Sequence, residues 1–276
     1  MGLQLVEIDW RAPLDRFDGI ELVMLGTAWD YQDHFHEFLA KLEELERRGI
    51  KVCNPSDVVR WNGDKRYLKS LADTGVHTIP TLWFDDVKSG DVAIALDAFE
   101  ATRVVVKRQI GAGALGQHSF AHDALPQPGW RMGHPAMIQP FLPSVVEEGE
   151  YTFVFIDGAF SHGVLKRAAA REYRIQSLYG GTELPFEPAA SDLSQAEAVL
   201  GALPFDDLLY CRIDMARLPS GELAVMEAEA IEPYLYPEQG ADLGPRVAQA
   251  IIRRLGESGP GSTPTVRAPA PAAHGR

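Results

Sequence analysis

The acidic run that says most about this chain is Met226-Glu227-Ala228-Glu229-Ala230-Ile231-Glu232-Pro233. Side chains at i and i+2 of a β-strand point to one face, so a strand from Leu223 to Glu229 projects Glu227 and Glu229 together. Upstream, Arg212-Ile213-Asp214 lies in another apolar run, and the turn residues Pro219-Ser220-Gly221 separate the two runs. The pattern predicts a hairpin that brings Asp214 beside the two glutamates.

Two interpretations of this acidic cluster fit the sequence. Clusters of hard oxygen ligands bind Mg²⁺, usually together with the phosphates of a substrate. Solvent-facing carboxylates on a strand are also common, although two like charges on one face repel each other. The spacing alone leaves both interpretations open.

Composition excludes several classes of protein. The chain has 276 residues, of which 46% are hydrophobic, so it can bury one large core or several small ones. A formal net charge of −13 argues against a protein that binds nucleic acid or membrane surfaces, since these need a basic face. The two cysteines, Cys53 and Cys211, lack metal-ligand spacing and fit a reducing compartment. No apolar run approaches the ~18 residues of a membrane span, and the start lacks signal-peptide features, so we expect a cytoplasmic protein.

The first part of the chain shows a β-α-β pattern. Ile20 to Leu25 and Ile50 to Cys53 are short apolar runs that indicate strands. Between them, Phe35 to Arg48 has apolar residues at helical spacing, and Gly49 follows as a helix end. A helix start is predicted at Asn54-Pro55-Ser56-Asp57, and a further helix is expected over residues 64–73. The alternation predicts a small parallel sheet.

The later part of the chain is dominated by strand-like segments. Strands are predicted at 79–84, 103–107, 135–141, 151–156 and 159–166, and the turn Asp157-Gly158 joins the last two as a hairpin. Helices are predicted between residues 84 and 103, at 193–203 and at 245–255. The residues after Gly256 are rich in Gly, Ser, Pro and Ala, which predicts a disordered tail.

A glycine-rich loop follows the strand that ends near Lys107. Residues 111–116 read Gly-Ala-Gly-Ala-Leu-Gly; glycines let backbone amides turn toward a phosphate, and a nearby lysine supplies charge. The loop lacks the Gly-Lys-Ser/Thr of a Walker motif, so an ordinary turn stays the alternative.

Residues 137–143 read Met-Ile-Gln-Pro-Phe-Leu-Pro. They indicate either an edge strand or a hinge that holds a purine ring, with Glu150 in reach of a sugar hydroxyl.

Several basic residues stand out in this acidic chain: Lys166, Arg167, Arg171, Arg174 and Arg212. Arg212 shares a strand face with Asp214, which predicts either a salt bridge or an anion clamp beside a metal. The eight histidines have no metal-ligand spacing, which argues against zinc.

The order of these features resembles the ATP-grasp superfamily of ADP-forming ligases, and in particular the glutathione-synthetase-like group that includes the cycloserine-biosynthesis ligase. The closer likeness is carried by Trp29-Asp30-Tyr31 and by residues 60–68, 161–167, 180–181 and 227–233. The resemblance implies an α+β protein with the ATP-grasp fold and a small N-terminal α/β domain, Rossmann-like and of the pre-ATP-grasp type. The implied division is 1–76 for that N-terminal domain, shorter than in relatives. Residues 77–141 would form the central subdomain with its lid loop, 142–257 the C-terminal subdomain and 258–276 a disordered tail.

The resemblance also implies a role for each site residue. The nucleotide, ATP, would be held by Lys65, Lys107, the loop glycines Gly111, Gly113 and Gly116, the adenine hinge Gln139, Phe141 and Leu142, and Glu150 on the ribose. Magnesium, as two ions for which Mn²⁺ can substitute, would be bound by Asp214, Glu227 and Glu229. The transferred phosphate and the acyl group would face Lys166, Arg167, Arg174 and Arg212. The acceptor would lie near Trp29, Asp30 and Tyr31.

The implied reaction joins a carboxylate to an amine through an acyl phosphate, between two small molecules or within one amino-acid-like substrate. The substrates themselves stay open, as does the pathway, and a homodimer is the usual state of similar proteins. Two alternatives remain: a nucleotide-binding protein of this fold without ligase turnover, and a small-molecule kinase that stops at a phosphorylated product.

Overall fold

A computed structural model describes residues 2–111, 113–169 and 180–256. The predicted tail, together with Arg171 and Arg174, lies outside these residues. Within them the strands form three sheets, of two, four and five strands. No helix in the described residues combines the length and the apolar character that a membrane span requires.

The first sheet confirms the predicted β-α-β pattern. Strands β1 (Leu22–Met24) and β2 (Lys51–Cys53) pair in parallel, and helix α1 (Phe35–Arg47) connects them. The helix forms because Phe38, Leu42 and Leu45 recur on one face, and all three are buried. A short 3-10 helix, Trp29–Asp33, precedes α1.

The four-stranded sheet is antiparallel and carries the glycine-rich loop. Two helices precede it, α2 (Ser56–Asn62) and α3 (Tyr67–Asp73). Its strand order is β3-β6-β4-β5, with α4 (Ser89–Ala98) between β3 and β4 in the chain. The strands are β3 (Leu82–Phe84), β4 (Arg103–Arg108), β5 (His118–Ala121) and β6 (Ala136–Pro140).

The five-stranded sheet has the order β11-β10-β7-β8-β9, and its strand pairs are antiparallel. The predicted hairpin turn is present, with positive φ at Asp157 (56°) and Gly158 (75°), as a tight two-residue turn requires. The elements of this part are α5 (Pro143–Glu147), β7 (Glu150–Ile156), β8 (Ala159–Arg167), β9 (Thr182–Phe186), α6 (Ala190–Ala202), β10 (Tyr210–Arg217), β11 (Leu223–Glu229) and α7 (Leu243–Gly256).

Three elements have no counterpart among the predicted ones: β5, α5 and β9. Strand β9 lies at the edge of its sheet, where its side chains are mostly exposed and Pro185 is tolerated. Strand β5 follows the glycine-rich loop directly and none of its residues is fully buried. Weak burial removes the apolar alternation by which a strand is recognised in a sequence.

Helices α2 and α3 each hydrogen-bond to the backbone at the end of strand β11 through a buried polar side chain. Asn62 donates from Nδ2 to the carbonyl of Ala228 (2.7 Å) and accepts at Oδ1 from the amide of Ala230 (2.8 Å). The Tyr67 hydroxyl accepts from the amide of Ala228 (2.8 Å). These bonds fix the end of the strand that carries Glu227 and Glu229.

Replacing Asn62 by Ala should lower the free energy of unfolding by about 2–4 kcal/mol, because two buried backbone groups on β11 lose their partners. Urea unfolding measures this change, with Lys69→Ala on the exposed side of α3 as the control, expected within about 0.5 kcal/mol of wild type. A loss below about 1 kcal/mol for Asn62→Ala would show that the hydrogen bonds of Asn62 contribute little to stability.

Candidate active site

The register of β10 and β11 confirms the predicted hairpin. Asp214 lies directly opposite Glu227, and Arg212 lies opposite Glu229. Residues directly opposite in an antiparallel pair project to the same face, so four charged side chains come together. The residues between them, Ile213 and Ala228, are buried in the core on the other face.

Asp214 is the most heavily hydrogen-bonded carboxylate of this group. Its Oδ1 accepts from the Thr152 hydroxyl (2.6 Å) and from Lys166 Nζ (3.0 Å), and its Oδ2 accepts from Nε (3.1 Å) and Nη2 (2.9 Å) of Arg212. Burial works to raise the pKa of Asp214, but Arg212 and Lys166 outweigh it and hold the pKa well below its usual range. Asp214 is therefore a permanent anion that positions two cations.

Lys166 connects Asp214 to a second buried carboxylate, Glu150, with which it forms a close salt bridge. Burial lowers the pKa of Lys166, but the charges of Asp214 and Glu150 raise it above its ordinary value. Burial raises the pKa of Glu150 to about 7, against the opposing effect of Lys166. Lys166 is thus a charged ammonium held between two acids.

Two lysines face Glu227. Lys65 Nζ lies 3.4 Å from Glu227 Oε1 and donates to the carbonyl of Gly111 (2.8 Å), which ties it to the glycine-rich loop. Burial favours a higher pKa for Glu227, yet Lys65 and Lys107 lower it below its ordinary value. Burial lowers the pKa of Lys107.

Glu229 differs from Glu227 in its surroundings. It forms a close salt bridge with Arg212, yet burial raises its pKa to about 7, assisted by repulsion from Asp214 and Glu227. Its side chain is 32% exposed and that of Glu227 is 23% exposed, whereas that of Asp214 is only 4% exposed. The two glutamates therefore present oxygen atoms to a ligand, while Asp214 is enclosed.

One cavity of about 480 Å³ collects most of the predicted site residues. Its lining includes Trp29, Lys65, Lys107, Gly111, Gly113, Gln139, Phe141, Leu142, Glu150, Lys166, Arg212, Asp214, Glu227 and Glu229. The predicted phosphate, hinge and carboxylate groups therefore lie around one space, although they are spread along the chain from Lys65 to Glu229.

The hinge segment supplies an apolar wall with few polar groups. Val105 of β4 lies opposite Gln139 of β6, and both line the cavity with Ile79, Phe141 and Leu142. Gln139 donates from Nε2 to the Thr81 hydroxyl (3.0 Å). An apolar wall with a few fixed polar groups is typical of a pocket that binds a small molecule.

Other predicted site residues lie outside the cavity lining. Asp30 forms an ion pair with Arg11, and Tyr31 is buried with its ring centroid 5.3 Å from that of Phe38. Arg167 is exposed and donates from Nε to the carbonyl of Glu148 (3.2 Å). Gly116 also lies beyond the lining, with a positive φ of 69°, and Arg174 falls outside the described residues.

The cavity also contains residues that the sequence analysis did not assign: Glu183, Met226, Glu232, Tyr234 and Tyr236. The ring centroid of Tyr236 lies 5.9 Å from Lys166 Nζ and 5.7 Å from the Arg212 guanidinium. Glu232 is 7% exposed. The sequence feature that points to Glu232 is the run Glu-x-Glu-x-x-Glu-Pro, of which it is the third glutamate.

The carboxylates of the cavity could hold a metal ion only together with other ligands. In the described segments, no three His, Cys, Asp or Glu side chains are arranged to hold a metal ion on their own. Mg²⁺ usually takes one or two carboxylates and completes its shell with water and substrate phosphates. Glu227 and Glu229 fit that requirement, because their oxygens are hard ligands that face the cavity beside two lysines.

Comparisons with known proteins agree with this geometry. The family model described as "D-cycloserine synthetase DcsG, N-terminal domain" matches residues 1–54. The cycloserine biosynthesis protein DcsG of Streptomyces lavendulae is 29% identical, over 92% of this chain and 90% of that protein. The crystal structure of D-cycloserine synthetase DcsG superposes with a TM-score of 0.77 at 26% identity, covering 90% of this chain and 88% of that one.

More distant structures share the fold alone. The ATP-grasp ligase PsnB, in a complex with a precursor variant, Mg and ADP, has a TM-score of 0.59 at 17% identity, covering 84% of this chain and 79% of that one. The D-alanine–D-alanine ligase of Bacillus anthracis, complexed with ATP, has a TM-score of 0.61 at 16% identity, covering 89% and 84%.

The chain therefore has the ATP-grasp fold, and its similarity to named ligases supports an activity of the ATP-grasp ligase class. Within that class it is similar to the cycloserine synthetase DcsG, as the motifs indicated. Both the predicted α+β fold class and the predicted superfamily are confirmed.

Replacing Lys166 by Met should lower the free energy of unfolding by about 3 kcal/mol, because Glu150 and Asp214 lose the buried cation between them. Chemical unfolding at pH 7 measures the change, and Lys69→Met, at an exposed lysine, is the matched control. Equal stability of the two variants would contradict the pairing described above.

Proposed function

We propose that the chain is an ATP-dependent, ADP-forming carboxylate–amine ligase that acts on a small amino-acid-like substrate through an acyl phosphate. The observation that carries this proposal is that four cations share one cavity with the three predicted metal ligands. The cations are Lys65, Lys107, Lys166 and Arg212, and the predicted ligands are Asp214, Glu227 and Glu229. Cations of this kind bind and stabilise a transferring phosphoryl group. Carboxylates are the protein ligands of the Mg²⁺ that accompanies a bound nucleotide.

The nucleotide would occupy the cavity from the hinge to the carboxylates. Gln139, Phe141 and Leu142 would hold the adenine ring, and Glu150 would bind the ribose. Lys65 and Lys107 would bind the phosphates as point charges. Because Lys65 already contacts Gly111, the glycine-rich loop would lie over the same phosphates.

Magnesium would be held by Glu227 and Glu229, with Asp214 as the third ligand that the resemblance implies. Two ions are proposed, for which Mn²⁺ can substitute. When bound, the metal neutralises charge on the phosphate oxygens during transfer. Its binding at Asp214 requires that Lys166 or Arg212 release one carboxylate oxygen, since both oxygens have cationic donors.

The residues of the chain would guide two successive displacements. In the first, a substrate carboxylate oxygen bonds to the γ-phosphorus and the bond to the ADP oxygen breaks. In the second, an amine bonds to the acyl carbon, phosphate leaves, and the amine loses a proton. Arg212 would stabilise the tetrahedral oxyanion that forms in the second displacement, after the amine has added and before phosphate leaves. When both groups belong to one molecule, the same steps close a ring.

Release of ADP and phosphate tests the reaction class. The enzyme is incubated with Mg-ATP and pools of L- and D-amino acids, with hydroxylamine added to trap an acyl phosphate as a hydroxamate. We expect acid-dependent ADP together with hydroxamate. ADP without phosphate would indicate a kinase. A rise in melting temperature with ATP but no ADP in any pool would indicate a nucleotide-binding protein.

Glu227→Gln should reduce ADP formation by about 100-fold or more while the fold is retained, because the substitution removes charge at the position that faces both phosphate lysines. Glu222→Gln, on the exposed turn before β11, is the matched control and should keep wild-type turnover. Coupled ADP assays and melting curves provide the two readouts. Full turnover by Glu227→Gln would overturn the metal assignment.

The division into three folded units and the homodimer implied by the resemblance remain predictions.

A further inference from the structure

A buried carboxylate that the proposed steps do not use lies in the wall of the cavity. Glu232 follows β11, three residues beyond Glu229, and is only 7% exposed. It lines the cavity together with Trp29 and Glu229. Residues of this type are rarely buried without a compensating charge.

The charges around Glu232 do not neutralise it. Burial raises its pKa to about 8, and repulsion from Glu229 adds to that effect. Arg212 and Lys65 act in the opposite direction more weakly. Both have closer partners, since Arg212 bonds Asp214 and Glu229 while Lys65 contacts Glu227. Among the described residues, no salt bridge joins a cation to Glu232.

The position of Glu232 separates it from the nucleotide end of the cavity. The indole Nε1 of Trp29 donates to the backbone carbonyl of Glu232 (3.3 Å), so the short helix Trp29–Asp33 packs beside it. The hinge residue Gln139, in contrast, belongs to the four-stranded sheet. Glu232 therefore lies beside Trp29, the residue that the resemblance assigns to the acceptor, and within electrostatic range of Arg212.

We propose that Glu232 binds the ammonium group of the amino-acid substrate and so selects an amino acid over an acid of the same shape that lacks the amine. The proposal rests on the ligase function proposed above. An ammonium brings three donors and a full charge to a carboxylate in a water-poor site, where a charge-assisted bond is strong. In an α-amino acid the ammonium is one carbon from the reacting carboxyl group. Glu232 shares the cavity with Arg212 and interacts with it electrostatically, so one small substrate could present its carboxyl group to Arg212 and its ammonium to Glu232.

The experiment compares matched substrates in wild type, Glu232→Gln and Glu232→Asp. ADP release is measured, with hydroxylamine as the nucleophile, for each amino acid that supports turnover and for the 2-hydroxy acid of the same carbon skeleton. Alanine with lactate and serine with glycerate are such pairs. The control variant is Glu222→Gln, which makes the same change at an exposed turn. Melting curves establish that each variant is folded.

We expect wild type to prefer each amino acid over its hydroxy acid by at least about tenfold in kcat/KM. Glu232→Gln should raise KM for the amino acid by about 30-fold, leave KM for ATP unchanged, and leave the hydroxy acid unaffected. For the amino acid, the KM of Glu232→Asp should lie between those of wild type and Glu232→Gln, because aspartate keeps the negative charge but holds it farther from the ammonium.

Three results would overturn the inference while leaving the ligase intact. The first is a Glu232→Gln enzyme with the substrate preference of wild type. The second is an equal loss for amino and hydroxy acids, which indicates a structural role. The third needs no variant: a wild type that uses hydroxy acids as well as amino acids. Absence of ADP with every acid contradicts the proposed function itself.

Discussion

The candidate site depends on one buried network of ion pairs, in which Asp214 is bonded by Lys166 from β8 and by Arg212 from its own strand. Burying such charges is costly, and the cost is offset only when each oxygen has well-placed donors. Asp214 meets this condition through four hydrogen bonds. The network therefore fixes which faces of β8, β7 and β10 point toward the cavity.

The cations that are proposed to bind phosphate also form the ion pairs of the cavity wall. In the described structure Lys65 is paired with Glu227 and Lys166 with Glu150 and Asp214. These pairs compensate each other's charge, which is why so many charged groups can be buried in one place. In the proposed function, the lysines would exchange their carboxylate partners for phosphate oxygens, and a divalent cation would compensate the carboxylates.

Much of the fold could be predicted from the sequence because its informative strands are half or fully buried. The hairpin of β10 and β11 follows from the alternation around Asp214 and Glu227, and its register agrees with that alternation. The edge strand β9 could not be found in this way, since its exposed residues carry no such pattern. The glycine-rich loop was recognised, but its contact with Lys65 depends on tertiary structure.

The site residues, like the strands, could be placed from the sequence only where they follow the alternation of a β-strand. Residues that follow the strand period, such as Glu227 and Glu229, could be placed on one face from their spacing, although their role as ligands came from the resemblance; both line the cavity. Asp30 and Tyr31 belong to a 3-10 helix, where adjacent side chains diverge: one pairs with Arg11 and the other packs in the core. Glu232 lies beyond the end of β11, so no period places it. Its burial beside Trp29 is a tertiary property, and the selection proposed for Glu232, of an amino acid over its hydroxy acid, therefore depends on packing that no spacing rule describes.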